Sequence, residues 1–198
     1  MNILLSDTRN YPYIAVRAGG FTLIELLITI VIVGVIAMIG IPAMGDFILN
    51  NRIRSQSGDL MLQLTHARSE AMRTVSRVTI CPGTSGSGCA GSAWENGWVA
   101  FIDTNNIAAL DSGETIISVS DALDGNNTLR SAAFPTYISF RHDGSSADIS
   151  GAPQAGSFAL CDSRGFGDDA RAIVITVTGR IKVLNVNATG SGVSNCGT

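Results

Sequence analysis

One carboxylate, that of Glu25, stands at the start of a long apolar run, and this position points to ion-pair chemistry inside a membrane. Residues 26–45 carry no charge, and a helix of that length spans about 30 Å, the thickness of a hydrocarbon core. An acid there is costly unless it is paired. If the chain is cut after Gly20, Phe21 carries a free ammonium that can pair with Glu25. The alternative is an acid that simply reaches the water at the membrane boundary.

A second set of side chains with binding chemistry is basic and lies near the C-terminus. It comprises Arg164, Arg171, Arg180 and Lys182. The spacing of two between Arg180 and Lys182 places them on one face of a predicted strand. Such cations can contact phosphate groups, but they can equally solvate a hairpin. The net charge of −3 argues against a dedicated nucleic-acid protein by bulk charge, though not against a local patch.

The cysteines offer disulfide chemistry. There are 4 of them, Cys81, Cys89, Cys161 and Cys196, which allow about three connectivities. Their spacings fit no zinc-finger pattern, and they follow a candidate export segment, so disulfides are the better interpretation. We favour a Cys81–Cys89 bridge, which closes a short Gly/Ser loop, and a Cys161–Cys196 bridge, which ties the C-terminal tail to a strand.

A single long helix is predicted to carry Glu25. Residues 1–20 have the composition of a leader that is removed, and the apolar run follows the cleavage junction, so it stays in the mature chain. Residues 21–45 are predicted to span the membrane, and residues 46–75 to continue as an amphipathic helix that ends near Thr74. The apolar stripe of this second part recurs at steps of three and four over its later turns: Phe47, Leu60, Leu64, Ala67, Ala71 and Val75.

The remainder, residues 76–198, changes to short β-rich runs separated by turn-forming residues. Strands are expected at 75–81, 98–103, 115–119, 137–141, 157–161, 172–177 and 180–186. Thr178-Gly179 between the last two runs predicts a tight hairpin. The fold class is therefore α+β, with a long N-terminal helix, half transmembrane and half amphipathic, packed on a C-terminal antiparallel β-sheet domain.

The N-terminal run resembles a known processing signal. The residues Gly19-Gly20-Phe21-Thr22-Leu23-Ile24-Glu25 are similar to the class III signal of type IV pilins and type II secretion pseudopilins. The resemblance implies cleavage between Gly20 and Phe21 by a prepilin peptidase, N-methylation of Phe21, and an assembly salt bridge from Glu25. Ala18 and Gly19 stand where many such leaders have Lys or Arg.

The rest of the chain resembles one branch of these proteins, the minor pilins and pseudopilins of the GspH/FimT/FimU family. The resemblance rests on LQLTHARSEAMR at 62–73, TICP at 79–82, WENGWVAFID at 94–103, DSGE at 111–114, ISF at 138–140, LCDSRG at 160–165 and TGR at 178–180. It covers nearly the whole mature chain, and it implies a type IV pilin-like fold and a minor subunit near a filament tip.

The resemblance also implies partners and a location. We expect other minor and major pilins, the prepilin peptidase, the inner-membrane assembly platform and inner-membrane lipid as partners. The mature chain is expected to cross the inner membrane once, with a periplasmic C-terminal domain, and then to enter a pilus or pseudopilus. The role favoured is priming of pilus assembly by a non-catalytic subunit without metal or cofactor. A type II secretion pseudopilin is an alternative.

A second alternative is a minor pilin that binds double-stranded DNA for natural transformation. The FimT branch carries a Gly-Arg-x-Arg motif for this contact, and Gly179-Arg180-Ile181-Lys182 is similar to it with lysine as the last residue. Lysine keeps a point charge for phosphate but lacks the bidentate guanidinium. On this interpretation Arg164, Arg171, Arg180 and Lys182 are the candidate DNA contacts.

Overall fold

The computed structural model describes residues 20–91 and 93–197. The leader predicted for residues 1–20 lies outside the described residues, apart from Gly20. The chain divides into two compact units, Met1–Met44 and Gly45–Thr198. The first contains the N-terminal part of one long helix, and the second contains the rest of that helix and the strands.

Helix α1, Leu23–Thr74, begins in an apolar segment whose large side chains are exposed. From Phe21 to Ile41, every Leu, Ile, Val, Met and Phe side chain is at least half exposed. Among the described residues, α1 is the one helix that is long and apolar enough to cross a membrane. So large an apolar surface is unstable in water and requires lipid or other apolar helices around it.

The second part of α1 buries one stripe against the sheets. The side chains of Ile53, Leu60, Leu64, Ala67 and Ala71 are at most 1% exposed, which confirms the amphipathic pattern. The prediction was wrong at two ends of the stripe, since Phe47 is 61% and Val75 is 72% exposed. Phe47 precedes the first turn that reaches the core, and Val75 has already left the helix.

Val75 ends the helix in an unusual backbone conformation. Its φ is 53°, in the left-handed region, and the N–H of Ser76 donates to the carbonyl of Ala71 over 3.3 Å. This is the Schellman arrangement that normally has glycine at the left-handed position. A β-branched residue is strained there, because its Cβ approaches the following carbonyl.

Replacing Val75 by glycine is therefore expected to stabilise the protein. The strain energy that is relieved exceeds the free-energy cost of the extra entropy that glycine gives the unfolded chain. The net gain in the free energy of unfolding is about 1 kcal/mol. Urea unfolding of the full chain in detergent measures it. Leu62→Gly is the matched control, since Leu62 is an exposed residue inside the same helix, and we expect it to destabilise by about 1 kcal/mol. A loss of stability in Val75→Gly would contradict the argument.

Within residues 20–91 and 93–197, eight strands follow the helix and form two antiparallel sheets. In chain order they are β1 Val78–Pro82, β2 Trp98–Ile102, β3 Ile116–Ser120, β4 Thr128–Arg130, β5 Ile138–Phe140, β6 Gly156–Cys161, β7 Arg171–Ile175 and β8 Ile181–Asn185. One sheet has the order β3-β2-β1-β5 and the other β4-β6-β7-β8. All strand pairs are antiparallel, as expected. Strand β4 was not predicted, because its 3 residues include a single apolar side chain, whereas the equally short β5 alternates apolar and polar residues.

The core lies where α1 meets both sheets. Phe158 of β6 packs edge-on against Trp94, with ring centroids 4.9 Å apart, and against Phe134 at 5.3 Å. The indole N–H of Trp94 donates to the Phe134 carbonyl over 2.8 Å, and that of Trp98 donates to Gln63 Oε1 of the helix over 2.6 Å. The polar ends of both tryptophans are thus satisfied inside the core.

Two disulfides join parts of the second unit. The bridges are Cys81–Cys89 and Cys161–Cys196, the pairing favoured from the sequence. The first closes the Gly/Ser loop after β1, and the second ties the C-terminal tail to the end of β6. All four thiols are used, so zinc binding by these cysteines has no place in this fold.

Candidate functional site

The predicted cleavage junction and Glu25 lie at the exposed start of α1. Gly20 has no atom within 4 Å of the space that a side chain would occupy, and Phe21 is 82% exposed. Thr22 caps the helix, since its Oγ1 accepts the N–H of Glu25 over 3.3 Å. Glu25 is the acidic residue of the first turn, where a carboxylate is favoured by the helix dipole.

The cap at Thr22 was missed in the sequence, although its signal is present. Thr-x-x-Glu before an apolar run is the capping-box pattern, in which the first side chain accepts the N–H of the fourth residue. The cap fixes where α1 begins, two residues after Phe21. A cut before Phe21 would therefore place the new ammonium directly beside the first turn that carries Glu25.

The structure separates the four basic candidates into two classes. Arg164 is held inside the domain: its guanidinium pairs with Asp162 at 2.6 Å and Asp169 at 3.1 Å, and it donates to Asn50 Oδ1 of α1 over 3.0 Å. Arg171 Nη1 donates to the carbonyls of residues 168, 169 and 170, each over 2.9 Å. Both arginines therefore organise the β6–β7 loop with their own side chains.

Arg180 and Lys182 are different, because both side chains are exposed. Neither makes a side-chain hydrogen bond or ion pair with the residues that the structure describes. Strand β8 begins at Ile181, so Arg180 is the last residue of the predicted hairpin turn. The turn is closed by Thr176 N–H to the Arg180 carbonyl at 3.0 Å and by Gly179 N–H to the Thr176 carbonyl at 2.8 Å.

Arg68 of α1 positions this turn and was not identified from the sequence. Its Nε donates to the Gly144 carbonyl over 2.8 Å and its Nη2 to the Thr178 carbonyl over 3.2 Å. Two turns that are distant in sequence are thereby held against the helix. The available signal was an arginine beside the buried positions 67 and 71, where a long side chain can reach past the core.

The described residues contain no group of three or more His, Cys, Asp or Glu side chains placed to hold a metal ion. The polar side chains of the loop after β2 instead bind one another. Glu114 Oε1 accepts the N–H of Thr104 over 2.8 Å, and Asn105 donates to Asp111 over 2.8 Å. The oxygen atoms of this loop are used to shape it.

Two family models match the chain. Residues 56–179 match the family described as type II transport protein GspH, and residues 16–41 match the prokaryotic N-terminal methylation motif. The chain belongs to the GspH family. The first match covers more than half of the chain and ends just before Arg180, and the second contains the Gly20–Phe21 junction and Glu25.

Two solved structures resemble this GspH-family chain. Both are crystal structures of the type IV minor pilin FimU of Pseudomonas aeruginosa strain PAO1, in space groups P21 and P65. The first superposes with a TM-score of 0.54 at 21% identity and covers 70% of this chain and 92% of that one. The second has a TM-score of 0.51 at 20% identity and covers 68% and 94%. At this identity the likeness establishes the fold, which is that of a type IV pilin.

The Asp162–Arg164 pair makes the stability of this GspH-family domain depend on pH in the acidic range. Burial raises the pKa of Asp162, but hydrogen bonds from the side chain and backbone N–H of Arg164, with the charges of Arg164 and Arg52, outweigh burial and hold the pKa below its usual value. The ionised carboxylate therefore stabilises the fold above the unfolded-state pKa of about 3.9. That contribution is lost as the pH falls through the folded-state pKa.

Asp162→Asn is expected to lower the free energy of unfolding at pH 7 by about 1.5–3 kcal/mol, the value of a hydrogen bond to a charged group. It should also flatten the loss of stability that the unsubstituted protein shows below about pH 4. Urea unfolding at a series of pH values from about 2 to about 7 measures both effects. Asp121→Asn, at an exposed aspartate, is the control and should change neither. If the free energy of unfolding of Asp162→Asn falls with decreasing pH as steeply as that of the unsubstituted protein, this account is wrong.

Proposed function

We propose that this GspH-family chain is a minor pilin: a non-catalytic subunit that primes assembly of a type IV pilus and lies near its tip. The observation that carries the proposal is the exposed apolar surface from Phe21 to Ile41, with Glu25 as its single charge. A subunit of a helical filament needs such a surface twice, first against lipid and then against the helices of its neighbours.

In this proposal a prepilin peptidase cuts between Gly20 and Phe21, and Phe21 is then N-methylated. The lack of a side chain at Gly20 supports the cut, since the peptide there can enter a narrow protease site. The Phe21 ammonium and the Glu25 carboxylate then form the assembly salt bridge, within one chain or between an incoming subunit and its neighbour. Pairing reduces the cost of placing either charge in an apolar surrounding.

The two disulfides support a periplasmic location for the domain. Disulfides persist in oxidising compartments and are rare in the cytosol. The mature chain would cross the inner membrane once, with its C-terminal domain on the periplasmic side, and the assembly platform would extract it into the filament. Its partners there would be other minor pilins and the major pilin.

Deletion of the gene, followed by complementation, separates this role from its alternatives. We expect loss of surface pili, measured by electron microscopy and by immunoblotting of sheared filaments. Lost protein secretion with normal pili would instead identify a type II secretion pseudopilin, which the description of the matched family favours. Normal pili and normal secretion would overturn the assembly role.

DNA binding is the second candidate. The observation that favours it is the exposure of Arg180 and Lys182, whose side chains have no partner among the described residues. Arg164 and Arg171 are weaker candidates for this role, because their guanidinium groups are engaged within the domain. The contact would be to phosphates and thus independent of sequence, so its affinity should fall with salt.

The double variant Arg180→Gln/Lys182→Gln is expected to weaken binding of duplex DNA. Each lost phosphate contact should reduce the slope of log affinity against log salt by about 0.9, so the pair reduces it by about 2. Fluorescence anisotropy with the full chain in a maltoside detergent measures the slope. Arg54→Gln/Arg73→Gln removes the same charge from the helix and is the matched control. Equal slopes in the two double variants would rule out this hairpin as the DNA contact.

A further inference from the structure

A cavity of about 310 Å³ lies within the second unit, where α1 ends. It is bounded by the residues that follow α1, by the loop after β2 and by the turn after β5. Arg77, Arg141 and His142 contribute basic side chains to its wall, and Asp103 contributes the one acidic side chain. Neither the family match nor the proposed filament role assigns a function to this cavity.

Arg77 is held in a fixed orientation. Its Nε donates to Asn106 Oδ1 over 2.9 Å, and its Nη1 donates to Ser139 Oγ over 2.6 Å and to the Ala147 carbonyl over 2.8 Å. None of these acceptors is charged, so the positive charge of the guanidinium is not neutralised by them. A guanidinium fixed in this way loses little entropy when it binds an anion.

Asp103 offsets only part of the charge of Arg77 and Arg141, because it is a single carboxylate against two guanidinium groups. Its carboxylate is buried and accepts the hydroxyl of Thr79 over 2.7 Å and the N–H groups of Ile107 and Ala108, each over 3.1 Å. Within the described residues it forms no ion pair with Arg77 or Arg141.

Glu70 and Asp143 are carboxylates near the cavity that do not belong to its lining. Glu70 of α1 pairs with Arg73 at 2.7 Å. In the turn after β5, hydrogen bonds from Ser145 and the nearby Arg141 and His142 lower the pKa of Asp143, so this carboxylate offsets part of the charge of Arg141. The side chain of Arg141 makes no hydrogen bond or ion pair with the residues that the structure describes. The lining itself thus holds two arginine charges against the one carboxylate of Asp103.

Backbone strain coincides with this cavity. Val75 and Asn106 both line it, and both have a left-handed φ, 53° and 60° respectively. Non-glycine residues in this region cost energy and cluster at ligand sites, where the surrounding structure holds them. Val75, which is strained in this conformation, and Asn106, which adopts it more readily, thus lie beside the fixed guanidinium of Arg77.

We propose that this cavity binds a small phosphate-type oxyanion through Arg77, Arg141 and His142. The guanidinium of Arg141 can donate two parallel hydrogen bonds to phosphate oxygens, and the imidazole of His142 adds another donor. Arg77 has its Nη2 hydrogens left to donate, because its Nε and Nη1 hydrogens bind Asn106, Ser139 and Ala147. A volume of this size is at the lower limit of small-molecule sites, which suits inorganic phosphate or a small phosphorylated molecule. A polymer backbone needs an open groove instead. This inference does not depend on the filament role.

The test is a titration of the ¹⁵N-labelled full chain, in maltoside micelles and phosphate-free buffer, with inorganic phosphate. We expect saturable shifts of the amides of Ser76, Arg77, Asn106 and His142. Arg141→Gln is expected to weaken the affinity about tenfold or more, since it removes a charge-assisted pair. Arg73→Gln, at an exposed arginine on the adjacent helix turn, is the control and should change the affinity less than about twofold. The dispersion of the spectrum shows that each variant is folded.

A second titration with adenosine monophosphate distinguishes the sources of the anion. If adenosine monophosphate shifts the same amides and binds at least as tightly as phosphate, the result supports a phosphorylated metabolite as the ligand. If only inorganic phosphate binds, the result supports the free ion. Equal affinities of the unsubstituted protein and Arg141→Gln would overturn the proposal. Binding of a duplex oligonucleotide at these amides without binding of either small anion would overturn it as well, since the site would then serve a polymer.

Discussion

Replacing Glu25 by glutamine is expected to reduce incorporation of this subunit into filaments by about a hundredfold to several thousandfold, with folding of its domain unchanged. Glutamine keeps the shape of glutamate but cannot neutralise the Phe21 ammonium. Removing one partner of an ion pair in an apolar surrounding costs about 3–5 kcal/mol, and about 1.4 kcal/mol corresponds to a factor of ten. The ratio of this subunit in sheared filaments to that in the membrane fraction measures the effect.

Glu70→Gln is the matched control, because it is the same substitution on the same helix. Glu70 pairs with Arg73 at the protein surface, where such pairs contribute little. Incorporation of this variant should be within about twofold of that of the unsubstituted chain. If Glu25→Gln enters filaments as well as Glu70→Gln does, Glu25 is not an assembly residue, and its place in the first turn of α1 serves only the helix dipole.

Replacing Gly179 by alanine is expected to cost several kcal/mol of stability, a large share of the roughly 5–15 kcal/mol that holds a domain of this kind together. The φ of Gly179 is 71°, which strains any residue with a Cβ. The added Cβ would also collide with the Gly144 carbonyl and come within 2.8 Å of Arg68 Nε. Thermal unfolding of the full chain in detergent, followed by circular dichroism, measures the loss.

Gly190→Ala separates the two causes. Gly190 has a similar φ of 86°, but nothing lies within 4 Å of the space for its Cβ. The Gly190→Ala variant is therefore destabilised by backbone strain alone, about 1–2 kcal/mol. A loss in Gly179→Ala no larger than in Gly190→Ala would show that the contact between the two turns is not needed. Because Arg180 follows Gly179, the same variant should weaken DNA binding if the hairpin is a DNA contact.

Glu25 and Gly179 lie near opposite ends of the chain. In the proposed role Glu25 acts through charge, and its effect would appear only when subunits meet. Gly179 acts through backbone geometry, and its effect appears in the isolated protein. A filament assay and an unfolding assay therefore test them independently.

Much of the fold was determined by local sequence. The uncharged stretch at residues 26–45 predicts a membrane helix because its length matches a bilayer. The steps of three and four at Leu60, Leu64, Ala67 and Ala71 predict a buried stripe because a helix repeats every 3.6 residues. The alternation of β-rich runs and turns predicts an antiparallel β domain. Each of these signals repeats within a few residues, so the sequence alone carries it.

The tertiary structure decided what the basic side chains do. Arg164, Arg171 and Arg180 look alike in the sequence, yet the first pairs with Asp162, the second caps three carbonyls and the third stays exposed. Arg68 reaches turns 76 and 110 residues away in the chain, and no local pattern reports a contact at that separation. Partners of this kind are set by how the sheets pack on the helix.

The same reason accounts for the features that were missed. Strand β4 has a single apolar side chain and so shows no alternation, and it exists because its neighbour β6 supplies hydrogen bonds. The left-handed Val75 is imposed by the chain's return to β1, against its own preference. The sequence alone predicted the apolar anchor, the helix, the β-rich class and a cleavage junction between Gly20 and Phe21, and the junction stays a prediction. These predictions follow from composition, local period and a short motif. Only the tertiary structure decided which charges are neutralised and which stay exposed, because even neighbours such as Asp162 and Arg164 meet only in the loop that strands β6 and β7 impose.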